Sequence, residues 1–185
     1  SGHKAYGPTG IGVLYAKRAL LEATPPYHVG GGMVQIVRWD RLVWAEPPAK
    51  FEAGTPPIGE AIGLHAALDF IDAIGRDAIE RYERELTEYA LARLQEVPDL
   101  RLYGPIPDRA GIFAFTLGEI HPHDIATVLD TRDVAIRSGL HCAHPLGERL
   151  GGATARASLA LYNDTQHIDA LIDALHEARR IFGRA

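Results

Sequence analysis

Hydrophobic residues follow different patterns in the two parts of this chain. Residues 58–74 are apolar on nearly every side, which predicts a helix that is buried by several neighbours and ends at Gly75. Residues 76–96 place apolar side chains at three- and four-residue spacing opposite a charged face, which predicts an amphipathic helix that Pro98 stops. Residues 165–182 repeat this amphipathic pattern and predict a final helix.

Short apolar runs predict strands around these helices. Alternation of strands and helices beyond residue 100 indicates a compact α/β or α+β subdomain. We therefore place a boundary near Gly75, with residues 1–75 as the end of a larger α/β domain and residues 76–185 as a small domain of its own. The predicted strands are 13–16, 100–103, 112–117, 134–137 and 155–161, with a further helix at 122–131.

The segment 22–57 has no periodic pattern. It is rich in proline and contains the run Gly30-Gly31-Gly32, a composition that predicts long irregular surface loops. Loops of this length usually carry function or contact a partner, because bare connections are shorter.

Composition narrows the class of protein. A net charge of −5 leaves no basic footprint for nucleic acid. Apolar stretches meet a charge or a proline well before membrane-spanning length, and the N-terminus lacks the pattern of a signal peptide. A single cysteine excludes an internal disulfide and fits a reducing compartment. We expect a cytoplasmic protein without a membrane or nucleic-acid partner.

The first candidate nucleophile is Lys4, in the segment Ser1-Gly2-His3-Lys4. Its small neighbours would let a bulky aldehyde cofactor such as pyridoxal phosphate approach the backbone, and Ser1 and His3 could donate to a phosphate. The alternative, an exposed lysine without a special role, is the commoner outcome for this residue type.

The second candidate nucleophile is Cys142, whose immediate neighbours are polar or small. His141 and Arg137 are candidates for the nearby cationic groups that favour a thiolate. Free cysteines are otherwise usually buried and inert, and spacing alone leaves both interpretations open.

Arg156 interrupts an apolar strand, where a guanidinium is costly to bury unless it meets an anion. Its planar guanidinium suits a substrate carboxylate, and a structural salt bridge is the alternative.

A zinc site is a competing interpretation, because four histidines and the thiol fall in two short stretches. Their spacing matches no zinc template, so we predict no metal. The stretches are His121-Pro122-His123 and His141-Cys142-Ala143-His144.

Five motifs together resemble a known family over essentially the whole chain. The sequence is similar to the C-terminal part of SufS-type (group II) cysteine desulfurases, which are pyridoxal-phosphate enzymes of aminotransferase class V. The resemblance implies the C-terminal portion of a PLP-dependent transferase (aspartate aminotransferase-like) fold, an α/β fold, with the end of the large domain followed by the small C-terminal α/β domain. Leu140 departs from the family, where a second histidine is common. The motifs are 1–4 with 6–12, 30–33, 51–56, 137–145 and 156–163.

The resemblance also implies how the cofactor would be held. Lys4 would bind pyridoxal 5′-phosphate covalently and later move the Cα proton of the substrate. Ser1 and His3 would contact the cofactor phosphate, and Thr55 would reach the phosphate of the neighbouring subunit in a homodimer.

For the substrate, the resemblance implies that Arg156 holds the carboxylate of L-cysteine, with Arg137 and His141 lining the same site. Cys142 would attack the substrate sulfur and become a persulfide, leaving L-alanine. A SufE-like or SufU-like acceptor would then take the sulfur for iron–sulfur cluster assembly.

Family members carry a further N-terminal half that supplies other cofactor contacts. We therefore expect this chain to need that half, which a separate chain could supply, to bind the cofactor. Two alternatives stay open. The chain could be a non-catalytic module that docks a sulfur acceptor or partner subunit, or it could belong to a selenocysteine lyase, which the same motifs would serve.

Overall fold

The chain folds as two compact units, Ser1–Gly75 (unit 1) and Arg76–Ala185 (unit 2). A computed structural model describes residues 1–105 and 108–183. The assignment of unit 1 to an incomplete large domain and of unit 2 to a small C-terminal domain stays a prediction.

Unit 1 contains short elements and one long helix. The long helix has the predicted bounds and ends at Gly75, whose φ of 92° and N–H bond to the Ile71 carbonyl (3.0 Å) close its last turn. The elements in chain order are a 3₁₀ turn (Gly2–Lys4), α1 (Arg18–Ala23), β1 (Val34–Val37), β2 (Leu42–Trp44), a 3₁₀ turn (Ala49–Phe51) and α2 (Ile58–Ile74).

Two predictions for unit 1 are wrong. Residues 13–16 form no strand, and Val13, Leu14 and Tyr15 are 81%, 85% and 88% exposed, because the segment pairs with neither strand of the one sheet in unit 1. The segment 22–57 is less irregular than its composition suggests, because β1 and β2 form an antiparallel hairpin within it. Its loop, residues 38–41, has neither glycine nor proline, so the usual turn signal is missing.

The burial predicted for α2 is also wrong. Ala67 is its buried residue, whereas Ile58 and Ile62 are 61% and 67% exposed. A helix with apolar residues on several faces needs neighbours on several faces, and unit 1 does not contain them.

Unit 2 packs helices against a sheet. In its described part, β3, β4, β6 and β5 pair in that order, and every pair is antiparallel. Unit 2 is therefore of α+β form, one of the two forms that the sequence allowed. Its elements are α3 (Arg76–Gln95), β3 (Leu100–Tyr103), β4 (Ile112–Leu117), α4 (Pro122–Asp130), β5 (Arg137–Gly139), α5 (His144–Leu150), β6 (Thr154–Ser158) and α6 (Thr165–Phe182).

One hydrophobic core holds unit 2 together. Phe113, Phe115 and Leu117 alternate along β4 toward this core, as a strand with one covered face requires. The buried faces of α3, α4 and α6 complete it. The helices predicted at 76–96, 122–131 and 165–182 and the strands at 100–103 and 112–117 are confirmed to within a residue.

The remaining strands differ from the prediction in their bounds. The predicted strand 134–137 lies at Arg137–Gly139, because the Val134 N–H donates to Leu129 of α4 (3.0 Å) before the ladder begins. The predicted strand 155–161 is Thr154–Ser158, and it is followed by a turn in which Ala160 N–H donates to the Asn163 side chain (2.8 Å). The short helix α5 was not predicted.

Of the helices that the structure describes, none combines the length and apolarity needed to cross a bilayer.

Candidate functional site

Lys4 ends a tightly packed turn. Gly2 is buried, and a Cβ at this position would lie 2.9 Å from both Ile11 Cγ2 and the Pro8 carbonyl oxygen, so the turn requires glycine. The Gly2 N–H donates to the Ile11 carbonyl (2.8 Å), which ties the turn to the residues that follow. The backbone therefore fixes where Lys4 leaves the chain.

The Lys4 side chain is exposed, as are Ser1 and His3 on the same turn. Within unit 1, all of whose residues the structure describes, Lys4 Nζ forms no hydrogen bond or ion pair. The amine is thus available to an incoming carbonyl group, and the imidazole of His3 and the hydroxyl of Ser1 lie one and three residues away in sequence.

Thr55 lies in a second loop of unit 1 and is exposed. The Gly54 N–H donates to the Gly31 carbonyl (2.9 Å), and a Cβ on Gly30 would lie 3.1 Å from Ala53 Cβ. Two motifs that are separate in sequence, the triple glycine and the loop of Thr55, therefore pack on each other. No hydrogen bond inside unit 1 joins Thr55 to the turn of Lys4.

In unit 2, two arginines lie directly opposite each other. Arg137 of β5 pairs in register with Arg156 of β6, and like charges in that position are destabilising. Neither has an ion pair in the described part of unit 2. Arg156 is half-buried, and its Nε is buried without a hydrogen-bond partner there. This arrangement favours an anion, such as a carboxylate.

Cys142 is exposed in the turn that follows β5. Ala143 N–H donates to the Leu140 carbonyl (2.8 Å), and both central residues have positive φ, 53° for His141 and 62° for Cys142. The Arg137 guanidinium donates to Cys142 Sγ at 3.1 Å. The structure thus brings together Arg137, Arg156 and Cys142, which lie 5 to 19 positions apart in the sequence.

His141 is hydrogen-bonded to Thr154, a residue that the sequence did not single out. Its Nε2 is hydrogen-bonded to Thr154 Oγ1 at 2.9 Å, and Thr154 is buried. Burial, followed by the positive charges of Arg156 and Arg137, lowers the pKa of His141. One sequence signal could have found Thr154, because it lies two positions before Arg156 and so faces the same side of β6.

The histidines do not assemble a metal centre. Across residues 1–105 and 108–183, no group of three or more His, Cys, Asp or Glu side chains is placed to hold an ion. His121 and His123 stack on each other with ring centroids 5.3 Å apart, whereas His141 bonds to Thr154.

Comparison with known proteins identifies a family. Residues 1–171 match the family model of aminotransferase class-V. A probable cysteine desulfurase of Streptomyces coelicolor is 50% identical over 99% of this chain and 44% of its own length. The chain thus spans under half the length of this relative.

Solved structures give the same picture. The cysteine desulfurase CsdA (S-sulfonic acid) from Escherichia coli matches 98% of this chain and 45% of its own, with a TM-score of 0.90 and 40% identity. A mutant of C-DES with glycine covalently linked to the PLP cofactor matches 92% of this chain and 43% of its own, with a TM-score of 0.74 and 25% identity. The predicted α/β transferase fold is confirmed.

Proposed function

Because this chain belongs to the aminotransferase class-V family, we propose that it supplies the lysine and the cysteine of a pyridoxal-phosphate-dependent cysteine desulfurase. The observation that carries the proposal is the cluster in unit 2, where an exposed thiol contacts one of two opposed arginines that lack acidic partners. Relatives named cysteine desulfurase support the same activity.

The residues around Lys4 suit pyridoxal phosphate. Lysine amines react with aldehydes to form Schiff bases, and Lys4 has no ion pair within unit 1 to hold its amine back. Ser1 and His3 would contact the phosphate group, and Thr55 would do so across a homodimer interface. When bound, the cofactor would act as an electron sink for the substrate Cα.

Lys4 would also act as the general base. With substrate bound, its free amine would remove the proton from the substrate Cα and later return one. Arg156 would orient the substrate by binding its carboxylate, because a half-buried guanidinium opposite a second arginine gains most from an anion. Arg137 and His141 would line the same site.

Cys142 would be the nucleophile. Its sulfur forms a bond to the sulfur of the bound cysteine, and the substrate C–S bond breaks. The electron pair of that bond stays on carbon, which takes up a proton, and the product leaves as alanine. Cys142 is left as a persulfide, and the step needs no external oxidant.

Partners of two kinds complete the proposal. The exposure of Cys142 supports transfer of the persulfide sulfur to a SufE-like or SufU-like acceptor for iron–sulfur cluster assembly. The exposed apolar residues of unit 1, including Val13, Leu14, Ile58 and Ile62, support a covering polypeptide equivalent to the remaining length of the relatives.

The test is to co-express this chain with a polypeptide corresponding to the N-terminal half of the Streptomyces coelicolor relative. Pyridoxal phosphate is then added. In one portion the cofactor linkage is trapped with borohydride and located by peptide mapping, and cysteine is added to a second portion. We expect the adduct on Lys4, together with alanine and a Cys142 peptide heavier by one sulfur atom. The other lysines of the chain, exposed Lys17 and buried Lys50, are internal controls.

A Cys142→Ser variant sharpens the test. It should keep the trapped adduct on Lys4 but lose both alanine and the added sulfur, because it removes only the attacking atom. Equal labelling of Lys17 and Lys4, or alanine formation by Cys142→Ser, would contradict the proposal.

A further inference from the structure

The turn that carries Cys142 has an unfavourable backbone. A hydrogen-bonded turn with positive φ at both central residues has the pattern of type I′, which prefers Asn and Gly at those positions. Here they are His141 and Cys142, the one adjacent pair of non-glycine residues with positive φ in the described chain. Such a backbone is unfavourable for residues with a side chain and persists only where surrounding contacts hold it.

Two side-chain contacts hold this turn from either side. Leu140 packs into the space that Gly147 of α5 leaves open, because a Cβ on Gly147 would overlap Leu140 Cδ2. On the other side, His141 Nε2 meets Thr154 Oγ1 at 2.9 Å. Thr154 is 5% exposed and lies opposite Gly139 of β5 at the start of β6, so it is a buried anchor held by the sheet.

Of these two contacts, the hydrogen bond between His141 and Thr154 is the polar one. The Nδ1 atom of His141 is buried and has no hydrogen-bond partner among the described residues, so Thr154 supplies the one hydrogen bond that the ring makes. Without it, little would keep the imidazole in place, and the strained turn could relax. Cys142 would then lose its position beside Arg137.

We propose that Thr154 is a positioning residue that holds His141, and through it the turn, so that Cys142 Sγ lies against the Arg137 guanidinium. This inference rests on the proposed role of Cys142 as nucleophile and adds to it. The position of the thiol is then set by contacts of the turn with α5 and β6, and no movement of the turn is needed to bring Sγ beside Arg137.

The test measures the charge beside the thiol without any cofactor. Cys142 is the single cysteine of the chain, so alkylation reports on it alone. The ratio of rate constants for iodoacetate, an anion, and iodoacetamide, which is neutral, cancels the thiolate fraction and reports local positive charge. In Thr154→Val, which removes the hydroxyl but keeps the shape, we expect this ratio to fall about threefold as Sγ leaves the guanidinium.

Matched variants identify the cause. Arg137→Gln sets the lowest ratio expected, and Thr154→Ser, which retains the hydroxyl, should stay near the parent chain. Thr87→Val is the control for burial, because Thr87 is also 5% exposed and its hydroxyl bonds to Glu83 within α3. Thermal melts establish that each variant is folded.

An unchanged ratio in Thr154→Val would overturn the inference, and so would an equal fall in Thr154→Ser or Thr87→Val. If Thr154→Val does not fold, His141→Phe replaces it, since it removes the same bond from the other side, and an unchanged ratio there would have the same meaning. Failure of Lys4 to bind the cofactor would leave these ratios untouched, so the two proposals fail separately.

Discussion

Units 1 and 2 have similar shares of apolar residues but use them differently. Among the residues of unit 2 that the structure describes, eighteen buried hydrophobic residues form one core. In unit 1, Met33 and Ala67 are the buried hydrophobic residues, while Trp39, Tyr15 and Leu14 are almost fully exposed. Helix α2 is more apolar than helix α6, yet its large apolar residues are mostly exposed, whereas α6 buries its apolar face from Ile168 to Ala178. A hydrophobic pattern shows which side chains of a segment favour burial, and the rest of the fold decides whether they are buried.

This contrast bears on function. Unit 2 has the contacts to hold Cys142, Arg137 and Arg156 in a defined cluster by itself. Unit 1 fixes the turn of Lys4 locally but leaves large apolar residues exposed, which is the observation behind the proposed covering polypeptide.

The largest effect expected from this contrast is on the free energy of unfolding, when matched isoleucines on α6 and α2 are replaced by alanine. Ile172 of α6 is 2% exposed and Ile62 of α2 is 67% exposed. Ile172→Ala should lower the free energy of unfolding by about 2–5 kcal/mol, because it leaves a cavity in the core. Ile62→Ala should change it by less than about 0.5 kcal/mol, as at other surface positions. Urea unfolding followed by circular dichroism measures both, and equal losses would show that α2 is already covered.

A smaller effect is expected where the two helices begin. The Asp164 side chain accepts N–H bonds from Gln166 and His167 at 2.9 and 3.2 Å and caps α6, whereas Pro57 gives α2 no side-chain cap. Asp164→Ala should lower the melting temperature of unit 2 by a few degrees, because backbone donors of the first turn lose their acceptor. Asp164→Asn, which can still cap, should recover most of the loss. A recovery no better than with alanine would contradict the capping role.

The smallest expected effect depends on pH and belongs to His141. Its pKa in the folded chain is lowered by burial and by Arg156 and Arg137. The unfolded chain therefore binds more protons, and stability should fall as pH drops below about 6.5, the usual value for histidine. His141→Gln should flatten this fall, as measured by urea unfolding at neutral and mildly acidic pH. His176→Gln, on the exposed side of α6, is the control and should leave the slope close to that of the parent chain.

The sequence by itself determined the helices, predicted at 58–74, 76–96 and 165–182, to within a residue, since their apolar patterns and the stop signal at Gly75 are local. The motifs around Lys4, Cys142 and Arg156 also carried the family resemblance that the comparisons confirm. The order of residues within a short segment is enough to predict these helices and motifs, because the residues that form each of them are close in sequence.

Only the tertiary structure decided which apolar segments are covered, and it left residues 13–16 and α2 exposed. It also placed Arg137 opposite Arg156 and gave His141 and Cys142 a left-handed backbone with Thr154 as support. These features depend on strand register and on contacts between distant residues. The two-residue spacing of Thr154 and Arg156 places both on one side of β6, but it does not place β5 beside them. The physical reason is that burial and side-chain pairing are properties of neighbours in space.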